Sequence, residues 1–293
     1  MRATAHYEPG LSFRRYRQYR RDLDADMPVI NASILKGRTT IDMKADVYPD
    51  EEAEEKSEGK EAFVLGDAVH KAILEPAVFS DPWNYFLKAE TKGIDTVKAI
   101  QARKLNPDKI VIDSEGKIFE RATAIRKAVW GDDHAMRWIA PEGVAKPHTE
   151  LTGIAPDPDG EFIRKIRIDL CVGIDPETDE MGDYLLDIKT CRAESLFPHR
   201  FQYVIRDLGY HVQAAYYLDT DSIIRTGSPD NPRDKYIIVA VESTYPYKVI
   251  VYELSKERLD EGRELYKDRL GMLAFAISNN RWEGFQYESP YPI

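Results

Sequence analysis

The sequence predicts a mixed α/β domain with one central sheet flanked by helices. Apolar residues at helical spacing fill the first half and the C-terminal end. Short alternating segments cluster in the middle. The two kinds follow one another as helices, a three-stranded meander, a helix, two strands and a helix. The 293 residues suffice for one large domain or two small ones, and a 43% hydrophobic content supports a real core.

Residues 13–21, FRRYRQYRR, read as an amphipathic helix with a charged face or as a contact to a DNA backbone. Asn31 or Ser33 is placed to cap a short helix from Ile34. DEEAEEKSEGKE, residues 50–61, reads as a solvated linker, so residues 1–60 are set apart from 61–293. Val64, Leu65, Ala68, Val69, Ala72 and Ile73 predict a helix that Pro76 stops. Helices are expected over 94–104 and 117–139, with a short strand at 109–113. A strand over 146–154 meets a turn at Asp157-Pro158-Asp159-Gly160. In 161–174, Ile166, Ile168, Leu170 and Val172 should face one way and Arg167, Asp169 and Cys171 the other. A polar loop over 175–182 leads to a strand at 183–190. A helix over 207–220, strands at 235–243 and 247–254, and a helix over 255–279 complete the chain.

The net charge of −10 argues against coating DNA through the whole surface, but not against a local basic channel beside an acidic metal site. Two cysteines are too few for an iron–sulfur cluster or a four-cysteine zinc site. No apolar run approaches the ~20 residues of a membrane span, and the first residues lack a signal-type segment. The expectation is a protein of the reducing cytoplasm with no membrane partner.

The stretch GDYLLDIKTC, residues 182–191, puts Asp187 and Lys189 on one face of an apolar strand. Folding the 161–190 hairpin about residues 178–179 sets Asp169 opposite about Ile188, within one residue of Asp187. Cross-strand neighbours lie roughly 5 Å apart at Cβ, so two carboxylates converge where a hard divalent cation would bridge them. A surface ion pair is the plainer alternative. It is weakened because Asp169 and Asp187 both lie in apolar strands, where a lone acid is costly.

R-I-D-L followed by L-D-I-K-T resembles the PD-(D/E)xK nuclease superfamily and, within it, the RecE-like phage and prophage exonucleases, more distantly lambda exonuclease and the RecB nuclease domain. Gly66-Asp67-Ala68-Val69-His70 resembles the helix ending in a site histidine. Glu150 resembles the acid on the preceding strand, and Gln213 to Tyr217 the Q-x-x-x-Y helix. The resemblance spans roughly residues 27–280 and implies a restriction-endonuclease-like core. It implies Asp169, Asp187 and the Ile188 carbonyl as Mg²⁺ ligands, with Mn²⁺ as substitute. Lys189 would be the catalytic lysine, His70 a residue near a second metal, and Glu150 an auxiliary acid. Gln213, Tyr217, Arg167 and Arg192 are the candidate DNA contacts. The implied activity is digestion of linear duplex DNA from its ends, 5′ to 3′, by a ring-shaped homo-oligomer that hands a 3′ single strand to an annealing protein. The alternatives are a structure-specific or restriction-like endonuclease, or a non-catalytic DNA-binding protein. On their own residues, His70 and the Gln213–Tyr217 pair also fit ordinary packing. Tyr203, Tyr210, Tyr216 and Tyr217 fit either base stacking or a core.

Overall fold

A seven-stranded mixed sheet organises the chain. The computed structural model describes residues 4–9, 16, 27–37, 39–47, 61–79, 83, 85–94, 96–106, 109–142, 147–159, 162–173 and 183–284. Residues 50–60 of the acidic stretch, all of 13–21 except Tyr16, and the 175–182 loop lie outside them. The strands are β1 (His6–Glu8), β2 (Val29–Ile30), β3 (Phe86–Lys88), β4 (Ile110–Ile112), β5 (His148–Pro156), β6 (Ile163–Val172), β7 (Tyr184–Cys191), β8 (Lys235–Glu242) and β9 (Val249–Glu253). The helices are α1 (Thr40–Val47), α2 (Glu61–Leu74), α3 (Pro76–Phe79), α4 (Val97–Leu105), α5 (Lys117–Trp130), α6 (Asp133–Ile139), α7 (Pro198–Asp207), α8 (Tyr210–Thr226) and α9 (Lys256–Asn279).

The strand order is β1-β5-β6-β7-β8-β9, and β2 adds to β6 in parallel. The β5–β6–β7 meander is antiparallel, β7 and β8 are parallel, and β9 returns antiparallel to β8. Helices α7 and α8 form the crossover that parallel β7 and β8 require. Strands β3 and β4 make a separate parallel pair. Thus β1 and β2, both from the segment before residue 60, join the main sheet.

Each face of the sheet is covered, which is why the central strands are apolar on both sides. On one face, Val212, Ala215 and Tyr216 of α8 and Tyr266, Leu270 and Leu273 of α9 pack on Ile166, Leu185, Tyr236 and Ile238. On the other, Val69, Ala72 and Ile73 of α2 and Ala122 and Ile125 of α5 pack on Leu170, Leu186, Ile188 and Val239. Burying one such side chain stabilises by about 1.5–3 kcal/mol. Helices α8 and α9 cross closely at Gly262, where a Cβ would stand 2.1 Å from the His211 carbonyl oxygen. Among the described residues, no helix is long and apolar enough to cross a membrane.

Three expectations are corrected. The helix expected over 117–139 is broken at Gly131-Asp132, where the Asp132 side chain accepts the Ala135 N–H and starts α6. The helix expected over 207–220 starts only after Gly209, whose φ of 63° is left-handed, and runs on to Thr226, while a separate helix, α7, ends at Asp207. The third concerns β6, which does not keep one alternation. Ile166 and Ile168 pack in the α8–α9 cluster, whereas Leu170 and Val172 pack in the α2–α5 cluster. The faces exchange across Asp169.

Helix α8 is buried along most of its length and carries two carboxylates inside, Asp219 and Asp221. Arginines reach both. Arg263 of α9 grips Asp219 with two nitrogens at 2.9 Å, and the Tyr266 hydroxyl donates to the same group. Asp221 accepts from Arg225 at 2.7 Å, from Arg233 at 3.0 Å and from the Tyr7 hydroxyl.

Candidate active site

The exchange of faces in β6 opens the site. On one edge β6 pairs with β5, but the rung expected between Glu150 and Asp169 is missing, with Thr149–Leu170 and Leu151–Ile168 on either side. Glu150 has φ 52°, a left-handed conformation that costs a non-glycine residue roughly 1–3 kcal/mol. On its other edge β6 is shared. Strand β2 pairs at Ile163 and Arg164, and β7 pairs at Leu170, Cys171 and Val172. Between them β6 and β7 diverge, and Asp169 stands at the fork. Continuing the register one step sets Asp169 level with Asp187, one residue from the expected pairing with Ile188. There the Asp169 carboxylate replaces a backbone acceptor: its Oδ2 takes the Ile188 N–H at 2.7 Å.

His70 reaches the same place from α2. Its Nε2 lies 3.0 Å from the Ile188 carbonyl oxygen. Its Nδ1 faces Asp169 Oδ1 at 3.5 Å and Glu150 Oε1 at 3.7 Å. Arg167 closes the far side of Glu150, donating from two nitrogens at 2.7 and 2.6 Å. Asp187 binds Lys189 Nζ at 2.5 Å, and the Gln213 Nε2 lies 3.4 Å from its other oxygen. The Lys189 ammonium sits 5.0 Å from the centre of the Tyr210 ring.

The electrostatics follow from crowding in a buried place. Burial pushes the Asp169 carboxyl up to about 7; Asp187 and Glu150 add to this, and His70 and Lys189 oppose it. Burial alone would lower the His70 imidazolium, but Asp169 and Glu150 outweigh it and raise the group to about 10. Burial would raise Glu150, but His70 and Arg167 hold it down at about 2. Lys189 is raised by Asp187 and Asp169 against the effect of burial.

His70, Glu150 and Asp169 offer ligand atoms within 4.8 Å of one another. Asp187 lies beyond that trio, joined to it by the Asp169–Ile188 bond and by Coulomb coupling to Asp169. The donors are carboxylate oxygens, a backbone carbonyl and one imidazole. Such a set fits Mg²⁺ or Mn²⁺ and lacks the thiolates of a structural zinc site.

The remaining candidates part company. Arg192, just past β7, is exposed. Arg167 is buried against Glu150, and Tyr217 is buried in the α8–α9 cluster with its phenol raised by burial. Gln213 is buried too, between Asp187 and Lys36, whose Nζ donates to Gln213 Oε1 at 2.9 Å. Lys36 was not singled out in the sequence. No local pattern marks it, because its partner is 177 residues away.

A solved structure from Eubacterium rectale, described as a candidate exonuclease, shares this fold with TM-score 0.55 and 14% identity, over 90% of this chain and 86% of that one. No curated protein gives a significant match. A family profile described as a PDDEXK-like domain of unknown function (DUF3799) matches residues 43–284. The break in β6, the D-x-K strand β7 and the histidine helix α2 all lie within that span, and the chain belongs to this PDDEXK-like family.

Proposed function

We propose that the chain is a divalent-metal-dependent deoxyribonuclease that hydrolyses phosphodiesters at the β6–β7 fork. The observation that carries this reading is the convergence of Asp169, Glu150 and His70 beside the Asp187–Lys189 pair, at the one place where β6 loses its alternation.

In this reading Asp169, Asp187, the Ile188 carbonyl, His70 and Glu150 hold Mg²⁺, with Mn²⁺ as substitute. A bound divalent ion lowers the pKa of its water and polarises a phosphate oxygen. Lys189 is held cationic by Asp187, so it can orient the attacking water and offset charge gathering on the phosphate oxygens. Water forms the new P–O bond, and the bridging P–O bond to the leaving strand breaks. Arg167 keeps Glu150 ionised and in place. Arg192 contacts the DNA backbone, Gln213 steadies Asp187, and Tyr217 supports α8 from within. Residues 61–293 carry the nuclease set, with residues 1–60 supplying β1, β2 and Lys36.

The resemblance to RecE-like enzymes favours digestion of linear duplex DNA from its ends, 5′ to 3′, by a cytoplasmic ring-shaped oligomer that serves an annealing protein in phage-type recombination. A structure-specific endonuclease with the same core is the second reading. One experiment separates them: linear, circular, 5′-labelled and 3′-labelled duplexes incubated with Mg²⁺ or with EDTA. The proposal expects linear DNA to be lost only with Mg²⁺, 5′ label first. Cleavage of closed circles favours the endonuclease, and no metal-dependent cleavage of any form overturns both.

A further inference from the structure

A lysine far from the D-x-K strand reaches into the site. Lys36 ends the short 3₁₀ turn Ile34–Lys36 and extends across the start of α8. Its stem passes Gly209, where a Cβ would stand 2.9 Å from Lys36 Cγ and the φ of 63° already excludes most side chains. Its ammonium donates to Gln213 Oε1 at 2.9 Å and lies 5.3 Å from the centre of the Tyr210 ring, the ring that also carries Lys189.

Gln213 therefore stands between opposite charges. Asp187 faces its Nε2 at 3.4 Å, and Lys36 faces its Oε1. Rotating the amide by half a turn would set its oxygen against a carboxylate and its NH₂ against an ammonium, so both contacts become repulsive. Tyr236 shares a further side-chain hydrogen bond with this amide. A neutral residue at position 36 removes the attraction on the oxygen and leaves the amide less strongly oriented. Burial and the neighbouring Lys189 lower the Lys36 ammonium to about 7 against the pull of Asp187, so the charged form that orients the amide is the one present below about pH 7.

We propose that Lys36 is a positioning residue: through Gln213 it fixes the carboxylate of Asp187, and through Tyr210 it fixes the ammonium of Lys189. This rests on the nuclease reading for its consequence in turnover, but not for its geometry. Lys36 acts on turnover without touching substrate.

The test has one arm that needs no nuclease activity. The chain has five glutamines, Gln18, Gln101, Gln202, Gln213 and Gln286, so selective ¹⁵N-glutamine labelling gives a short list of side-chain signals. The Gln213 signal is identified by its loss in Gln213→Ala. It should lie apart from the exposed glutamines in the parent protein, move toward them in Lys36→Met and stay in place in Lys36→Arg. An unmoved signal in Lys36→Met overturns the proposal whatever the protein cleaves. In the second arm, with Mg²⁺ and linear duplex, Lys36→Met and Gln213→Ala should each lower kcat about tenfold with KM unchanged. The double variant should fall no further than the lower single. A raised KM, a salt dependence reduced by about one charge and additive losses would make Lys36 a phosphate contact instead, which overturns positioning. A moved signal in a protein that cleaves no DNA leaves the positioning standing and removes the nuclease reading.

Discussion

Two groups of buried carboxylates lie on the same scaffold, and they are balanced differently. Asp219 and Asp221 on α8 are met by Arg263, Arg225 and Arg233 and by two tyrosine hydroxyls. Burial still raises Asp221, while Tyr7 and Arg225 pull it back. At the β6–β7 fork, Glu150, Asp169 and Asp187 share one arginine, one lysine and one histidine. Arginine stays charged and its planar fork saturates a carboxylate. Histidine can give up its proton, and the Lys189 ammonium can be displaced from its single carboxylate. The helix cluster is a closed structural network. The fork holds three acids close together against cations that can leave, which suits exchange with a metal and a phosphate.

The largest expected effect breaks the two groups apart by function. Asp169→Asn, Asp187→Ala and Lys189→Met should each lower nuclease turnover about 10³-fold or more, since each removes charge from the place where it develops in the transition state. Chemical unfolding of Asp169→Asn in EDTA should show stability unchanged or raised, because one crowding charge is gone. Asp221→Ala should do the reverse. It should lower stability by about 3 kcal/mol, near the low end for a broken buried pair because Arg233 keeps Asp183, and should leave the turnover of the folded protein intact. Full turnover in Asp187→Ala would sink the site.

Next in size is the metal itself. A ligand that binds only the folded state stabilises by about 2.7 kcal/mol at a hundredfold excess over its Kd. Mg²⁺ or Mn²⁺ should therefore raise the melting temperature of the parent protein and of Asp221→Ala alike, and EDTA should reverse it. Asp169→Asn should lose most of the shift. An equal shift in Asp169→Asn places the ion elsewhere.

The proton balance gives a third contrast. His70 has a folded pKa near 10 against 6.5 unfolded, so its contribution to metal-free stability is full below pH 6.5 and fades as pH rises toward 10. Asp169, raised from 3.8 to about 7, contributes in the same sense, fully below 3.8 and lost through about pH 7. Glu150, lowered to about 2, contributes above 4.5 and loses it as pH falls. In EDTA, the single His70 proton should take away no more than about 1.4 kcal/mol of stability per pH unit between pH 6.5 and 10, offset above pH 7 by Lys36, whose folded ammonium is lowered from 10.5 to about 7 and so works in the opposite sense. His70→Gln should flatten that fall. Metal affinity should rise across the same window, because a ligating imidazole must first shed its proton. A His70→Gln profile parallel to the parent places the titration on another group.

What the sequence made legible, and what it hid, divides at Asp169. Strand β7 keeps one alternation, with Tyr184, Leu186 and Ile188 packing together, so Asp187 and Lys189 could be placed on a shared face from spacing alone. Helix α2 was equally plain, because six of its seven buried positions repeat at helical spacing and Pro76 ends it. Strand β6 exchanges faces at Asp169 opposite a left-handed Glu150, and a period of two cannot register a kink made by a cross-strand partner. The breaks before α6 and α8 rest on Asp132 and Gly209, single residues whose cap and left-handed φ do not interrupt the longer apolar patterns around them. Lys36 was out of reach altogether, since only the packed fold brings it to Gln213.

The smallest effects separate residues that the sequence grouped as DNA contacts. Arg192 is exposed just past β7, whereas Tyr217 is 8% exposed within the core, and its neighbour in the site is the Arg167 backbone. In the proposed reading Arg192→Ala removes one phosphate contact. It should weaken DNA binding several-fold, evenly across sequences, and reduce the slope of log K against log salt by about one. Melting should not change, because an exposed cation with no carboxylate partner among the described residues contributes little to folding. Tyr217→Phe should do the opposite. Loss of a buried hydroxyl bond costs about 1 kcal/mol of stability, while the salt slope and DNA affinity stay at the parent values. Both can be read in one set of titrations on the Lys189→Met background, where bound DNA is not consumed. If Tyr217→Phe lowers DNA affinity at unchanged stability, its hydroxyl reaches the substrate after all, and the helix cluster and the fork are less separate than their charges indicate.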